Sequence, residues 1–161
     1  MLERTLFILT FAAAIGSGLV AGIFFAFSTF VMTALGRILP EQGIAAMQSI
    51  NITVLNPAFL TAFLGTGVVC VALAGGSYVW WGEASGKLLL AASLIYLVGC
   101  IGVTMVCNVP LNDRLAAVLP DTPEAVAVWS NYLTLWTNWN HLRTVAPLLS
   151  AILFMAALIS G

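Results

Sequence analysis

The stretch WNHLR, just before the last apolar run of the chain, holds the single histidine and one of only five basic residues. By helical spacing, four side chains share one face here: Trp136, Trp139, Asn140 and Arg143. His141 is rotated by about 100° from Asn140 around the helix axis. The stretch therefore places a proton-active group and a cation beside two aromatic rings. A structural alternative is that His141 and Arg143 only anchor a membrane helix at the lipid headgroups.

Two further stretches bring asparagines to the ends of apolar runs. In NVPLNDR, Asn108 and Asn112 flank Pro110, and in NITVLNP, Asn56 precedes Pro57. An amide buried in apolar surroundings needs a hydrogen-bonding partner, and these amides can supply partners for one another. The structural alternatives are a helix stop with a polar turn around Pro110 and a helix cap at Asn56.

The composition indicates a membrane protein. Hydrophobic residues make up 61% of the 161 residues and charged residues 7%, whereas a soluble domain has about 25% charged residues. A transmembrane helix needs roughly 20 mostly apolar residues. Long uncharged runs therefore predict four spans in a single domain covering residues 1–161, near residues 5–34, 54–80, 88–109 and 141–160.

Four spans put both termini on one side of the membrane and the loops 35–53 and 110–140 on the other. All seven asparagines fall at that second face, together with His141 and Arg143. Before the last span, Thr122 and Pro123 predict a helix start. An apolar stripe follows, formed by Ala125, Trp129, Tyr132, Trp136 and Trp139. We therefore predict an all-α integral membrane four-helix bundle with a short extra amphipathic helix before the last span.

Several function classes are disfavoured. A net charge of −1 gives no basic surface for nucleic acid. One histidine and no carboxylate within a span make a two-metal or facial-triad site implausible, and no nucleotide-binding fingerprint occurs. Haem ligation by the single histidine stays open, although no motif supports it. We therefore expect that any catalysis proceeds without a cofactor, or with one that no sequence motif reveals.

The sequence resembles the anthrone oxygenase-like family of small four-helix membrane proteins. The resemblance covers nearly the whole chain and includes GIFFAFSTFVM, MQSINITVLNPAF, NVPLNDRL and WTNWNHLRTVAP. It implies oxidation of an anthrone to an anthraquinone, with molecular oxygen as co-substrate. Such a reaction needs a base for the acidic methylene and donors for the developing oxyanion.

On that reading, we expect His141 and Arg143 to be catalytic, with His141 as the base. Asn56, Asn108, Asn112 and Asn140 would bind substrate or its oxyanion, and Trp136 and Trp139 would stack on an aromatic ring. The expected partners are the lipid bilayer and a hydrophobic aromatic molecule. The expected location is a bacterial inner or plasma membrane, and homo-oligomerisation stays open.

The alternative is a small non-enzymatic membrane protein that binds a hydrophobic ligand or a partner subunit. An enzyme requires a cavity at the second face, lined by His141 and Arg143. A simple scaffold fills that space with Leu, Ile and Phe side chains.

Overall fold

The computed structural model describes residues 2–80 and 83–160, and every regular element within them is a helix. Four of these helices are long and apolar enough to cross a membrane. In chain order the helices are α1 (Glu3–Leu35), α2 (Pro40–Thr53), α3 (Pro57–Gly76), α4 (Ala84–Ala116) and α5 (Pro123–Ser160). A short 3₁₀ helix, Ser77–Trp80, follows α3.

The predicted all-α fold with four spans is confirmed, with two refinements. The amphipathic segment and the last span form one continuous helix, α5, which begins at Pro123. The Thr122 hydroxyl accepts a hydrogen bond from the Ala125 amide at 3.3 Å, as a helix cap does. The predicted loop 35–53 contains α2, which begins with Pro40 and buries Ile44 and Met47.

Two apolar clusters follow one another along the length of the helices. Within the bundle, α1 and α4 both pack against α5, and α3 packs against α1 and α4. One apolar cluster fills this bundle and includes Val20, Leu73 and Phe154. A second cluster lies under α2, where Met47 and Trp129 contribute. Helix α5 therefore extends beyond the bundle and carries the outer core on its N-terminal half.

The outer surfaces of the long helices are apolar. Phe7 and Ile15 on α1, Val98 on α4 and Ile152 on α5 are all about half exposed or more. In water such a surface would mark an aggregation or docking site. On helices of this length and hydropathy it is the surface expected to contact lipid.

π-helical turns interrupt α1, α3 and α4 at Phe27–Val31, Thr61–Gly65, Leu97–Gly102 and Thr104–Asn108. In each of the three helices a backbone carbonyl in or near such a turn accepts a polar side chain. Asn140 Nδ2 bonds to the Phe24 carbonyl at 2.8 Å, and Tyr96 bonds to the Phe63 carbonyl at 2.9 Å. Side-chain donors thus replace part of the backbone ladder in surroundings that offer no water.

Helices α4 and α5 approach closely at Gly99. A Cβ atom on this residue would lie 2.6 Å from the Ala146 Cβ atom. That carbon is attached directly to the α5 backbone and cannot rotate away. The absence of a side chain at Gly99 therefore sets the distance between the two helices that carry most of the polar side chains described below.

We expect Gly99→Ala to destabilise the protein by about 1–3 kcal/mol, because the added methyl group forces the two helices apart. The measurement is SDS-driven unfolding of the detergent-solubilised protein, followed by circular dichroism. Gly18→Ala is the matched control, since a Cβ at Gly18 meets no atom within 4 Å. Equal stability of the two variants would contradict the close α4–α5 packing.

Candidate active site

Arg143 lies inside the bundle, toward the end that α2 covers. Along the axis of α5, at 1.5 Å per residue, it is about 26 Å from Ser160 at the far end. Phe24, which contacts it from α1, is about 30 Å from Arg4 by the same measure. The hydrocarbon core of a bilayer is about 30 Å thick. In a bilayer of that thickness spanned by these helices, the guanidinium would lie close to the boundary between lipid tails and headgroups, on the side of α2.

The Arg143 guanidinium is buried between two aromatic rings. Only 4% of the residue is exposed. Its central carbon lies 4.4 Å from the centre of the Phe24 ring and 4.9 Å from that of the Trp136 ring. The planar cation can stack on such rings, whose faces are electron-rich. The rings hold the guanidinium in place but do not neutralise its charge.

Arg143 uses few of its hydrogen-bond donors within the protein. Nη2 donates to Asn140 Oδ1 at 2.9 Å, and Nη1 donates to Thr104 Oγ1 at 3.3 Å. The buried Nε–H has no partner. Within residues 2–80 and 83–160, no carboxylate lies within 4.0 Å of the guanidinium. A guanidinium has five N–H donors, so this cation retains both unused donors and an unpaired charge.

A closed ring of hydrogen bonds orients the Asn140 amide. Asn140 Nδ2 donates to the Phe24 carbonyl and to Ser28 Oγ, both at 2.8 Å. The Thr144 hydroxyl donates to the backbone carbonyl of Asn140 at 2.9 Å. Ser28 must therefore be the donor in the 2.9 Å contact between the Ser28 and Thr144 hydroxyls. With its NH₂ group committed in this way, the amide can present only its oxygen to Arg143.

A cavity of about 580 Å³ opens beside Arg143, between α1, α2, α3 and α4, with α5 forming one wall. This volume lies within the range typical of small-molecule sites. Most of its wall is apolar and includes Phe27, Phe59 and Met105. The polar side chains that reach it are Gln48, Asn51, Thr104, Asn112, Asp113 and Arg143. An apolar cavity with a few convergent polar groups is the usual form of a ligand site.

Asn112 joins α4 to the aromatic side chains of α5. Its Oδ1 accepts hydrogen bonds from the Tyr132 hydroxyl and from Trp136 Nε1, both at 2.8 Å. Trp129, Tyr132 and Trp136 stack along α5, with ring centres 5.7 and 5.9 Å apart. Asn51 of α2 adds a longer contact of 3.5 Å to the same hydroxyl. This network fixes the Trp136 ring where it lines the cavity.

The structure brings five of the predicted site residues together. Arg143, Trp136 and Asn112 line the cavity. Asn140 does not line the cavity, but its Oδ1 accepts a hydrogen bond from Arg143 Nη2. Asn108 is fully buried and donates to the Trp136 carbonyl at 3.1 Å, while its Oδ1 has no partner. Asn108 and Asn140 therefore lie outside the cavity lining, and each forms a hydrogen bond with a residue that lines it.

The other three predicted residues lie outside the cavity. His141 is exposed on the face of α5 that also carries the exposed Val145 and Leu148, because one helical step turns it away from Asn140. Trp139 is 41% exposed and does not line the cavity. Asn56 caps α3 by accepting from the Phe59 amide at 3.0 Å. The catalytic role of His141 and the binding roles of Trp139 and Asn56 stay predictions.

Several cavity residues were not singled out from the sequence, among them Phe24, Gln48, Asn51, Thr104 and Asp113. Asp113 follows Asn112 directly, so the polar turn in NVPLNDR was the available signal. Gln48 and Asn51 reach the cavity only because residues 40–53 form a helix. Nothing in the sequence distinguishes Thr104 from other threonines in apolar runs.

A second cavity, of about 490 Å³, lies at the opposite end of the bundle and is lined by Glu3, Thr10 and Glu83 among others. The described residues that line it include two carboxylates and no basic side chain, so we place the candidate active site at Arg143. Among the described residues, no three His, Cys, Asp or Glu side chains cluster as metal ligands would.

We expect Asn112→Leu to lower the stability of the protein by about 1–3 kcal/mol, because Leu leaves the Tyr132 and Trp136 donors without an acceptor. Asn112→Asp retains an acceptor oxygen and should stay close to wild type. Thermal unfolding in detergent measures the difference. If the Leu variant were as stable as the Asp variant, the network would not hold α4 to α5.

Comparison with known proteins agrees with the resemblance carried by the sequence motifs. The family model described as anthrone oxygenase matches residues 57–153, which is more than half of the chain. The matched part contains α3, α4 and most of α5, and thus Thr104, Asn112 and Arg143. No curated protein and no solved structure matches the chain. The chain belongs to the anthrone oxygenase family.

Proposed function

We propose that this protein oxidises a flat, hydrophobic anthrone- or phenol-like substrate to a quinone, using molecular oxygen. The observation that supports this most directly is the buried Arg143 guanidinium, which has unused donors and no carboxylate partner. Burying an ion costs several kcal/mol unless a partner compensates it. A ligand that becomes anionic in the cavity would supply that partner.

The cavity suits such a ligand in size and chemistry. About 580 Å³ is enough for a fused three-ring molecule. Its apolar wall and the Trp136 ring can contact the faces of the rings, while Arg143 is positioned to bind one oxygen at the edge. The exposed side chains of Leu55, Leu64 and Met105 belong to the cavity lining. They offer a route from the lipid, into which such a substrate partitions.

The reaction balances with substrate and oxygen as the only molecules consumed, because the base that takes a proton later returns it. A base removes one methylene proton, and the electron pair of the broken C–H bond passes into the rings to form an oxyanion. The carbanionic carbon then bonds to dioxygen and gives a peroxide anion, which takes up one proton. Loss of water from this hydroperoxide leaves a second carbonyl. One anthrone and one dioxygen thus give one anthraquinone and one water.

Arg143 would act on the first of these steps. The anthrone carbonyl is neutral in the ground state and carries nearly a full negative charge once the proton has left. A fixed cation in an apolar cavity binds the charged form more strongly than the neutral one, and only such differential binding lowers the barrier. Asn140 and Thr104 keep the guanidinium in position, so little reorganisation is needed as the charge develops.

We further propose that the protein is a multi-pass protein of a bacterial inner or plasma membrane. The four apolar helices support a membrane location, and the lipid-facing residues of the cavity support access from the bilayer.

We expect purified wild-type protein to convert anthrone to anthraquinone with the uptake of one dioxygen per product. Arg143→Met should lower kcat/KM by about 10²–10³-fold, the usual effect of removing an oxyanion donor. Arg114→Met is the matched control. Arg114 is an exposed arginine near the C-terminal end of α4, and it does not line the cavity.

Product is followed by absorbance and oxygen by an electrode, with micelles alone as the blank. Full activity of Arg143→Met would remove the guanidinium from the mechanism. Tight binding of anthraquinone without turnover of anthrone would overturn the oxygenase proposal. It would instead support the alternative of a non-enzymatic membrane protein that binds a hydrophobic ligand.

A further inference from the structure

We propose that Asp113 is the base that removes the substrate proton, an inference that rests on the proposed function. Of the carboxylates in residues 2–80 and 83–160, Asp113 alone lines the cavity that contains Arg143. The remaining acidic side chains lie elsewhere: Glu3 and Glu83 at the opposite end of the bundle, Glu41 and Asp121 at a separate surface groove, and Glu124 on the first turn of α5.

The backbone that carries Asp113 is held in place by its neighbour. Asn112 is fixed to α5 by two hydrogen bonds of 2.8 Å, so the turn of α4 that contains Asp113 cannot drift away from the cavity. Asp113 itself is exposed, and its side chain forms no hydrogen bond or ion pair with the described residues. Its oxygens are therefore free to accept a proton from a ligand.

Asp113 and Arg143 contribute opposite charges to one cavity without neutralising each other. No salt bridge joins them, since their charged atoms are more than 4.0 Å apart. Arg143 is buried in the wall and Asp113 is exposed to solvent. A substrate between the two would meet a proton acceptor on one side and an oxyanion site on the other, which is the arrangement that enolisation requires.

The proton balance also suits an exposed carboxylate. Asp113 takes the methylene proton while the C–H electron pair moves to the carbonyl oxygen facing Arg143. After dioxygen has bonded to the carbon, the peroxide anion takes that proton back. Asp113 is then ionised again, ready for the next substrate. His141, the base expected from the sequence, lies on the outward face of α5 and does not line the cavity.

Proton removal can be measured separately from oxidation. Under nitrogen and in D₂O, NMR follows the exchange of the anthrone methylene protons for deuterium in the presence of the detergent-solubilised protein. We expect wild-type protein to accelerate exchange over empty micelles and Asp113→Asn to lose about 10²-fold or more of that acceleration. Asp113→Glu should restore part of it.

The matched control is Asp121→Asn, another exposed carboxylate, in the loop that follows α4, which should exchange at the wild-type rate. Anthraquinone binding is measured in parallel. We expect Asp113→Asn to bind it as wild type does, because the substitution is exposed and isosteric and breaks no hydrogen bond with the described residues.

Three outcomes would overturn the inference. If Asp113→Asn exchanged the methylene protons at the wild-type rate and still oxidised anthrone in air, the role of Asp113 as the base would be refuted. The proposed oxygenase function would not be affected. Loss of exchange in His141→Ala, with exchange retained in Asp113→Asn, would assign the base to His141. Loss of anthraquinone binding in Asp113→Asn would indicate a structural role. A wild-type protein that neither exchanges nor oxidises anthrone would refute the proposed function itself.

Discussion

A guanidinium buried near the membrane boundary without a counter-ion is the constraint around which the other polar groups of this protein are arranged. Two aromatic rings and two hydrogen bonds hold Arg143, yet none of these contacts cancels its charge. The ring of hydrogen bonds through Asn140 ties it to the π-helical region of α1, and Gly99 allows α4 to approach α5 closely. The bundle therefore maintains an unsatisfied charge at the wall of a cavity, which is costly unless a ligand uses it.

Much of the fold could be predicted from the sequence because lipid imposes a simple rule. A chain in the bilayer must satisfy its backbone internally and present apolar side chains outward, so uncharged runs predict helices directly. The rule fails where the chain leaves the lipid. Residues 40–53 were predicted as a loop but form α2, since their helix depends on the burial of Ile44 and Met47 under α5 rather than on a strong apolar stripe. Helix α5 also begins outside the predicted last span and continues into it without a break.

The site was less predictable because it depends on the direction in which each side chain points. Helical spacing grouped Trp136, Asn140 and Arg143 correctly, and these residues do face the bundle. His141 is the single histidine and was predicted as the base, but its position one residue beyond Asn140 on the helix turns it outward. Asp113 lies in a polar turn, where an aspartate is common, so only its position in the cavity lining distinguishes it from the other carboxylates. Rarity of a residue type indicated the region of the site, whereas the packing of α1 and α4 against α5 decides which side chains reach the cavity.

The most direct test of an unpaired Arg143 uses a hydroxyanthraquinone dye, a product-like ligand that cannot be oxidised further under mild conditions and whose colour reports ionisation of its phenol. An apolar cavity alone raises the pKa of the dye, because desolvation disfavours the anion, whereas a free guanidinium lowers it. The pKa of the bound dye should therefore lie below its value in empty micelles, and Arg143→Met should abolish that decrease. A bound dye that ionises at the same or higher pH than in micelles would contradict the presence of an available cation in the cavity.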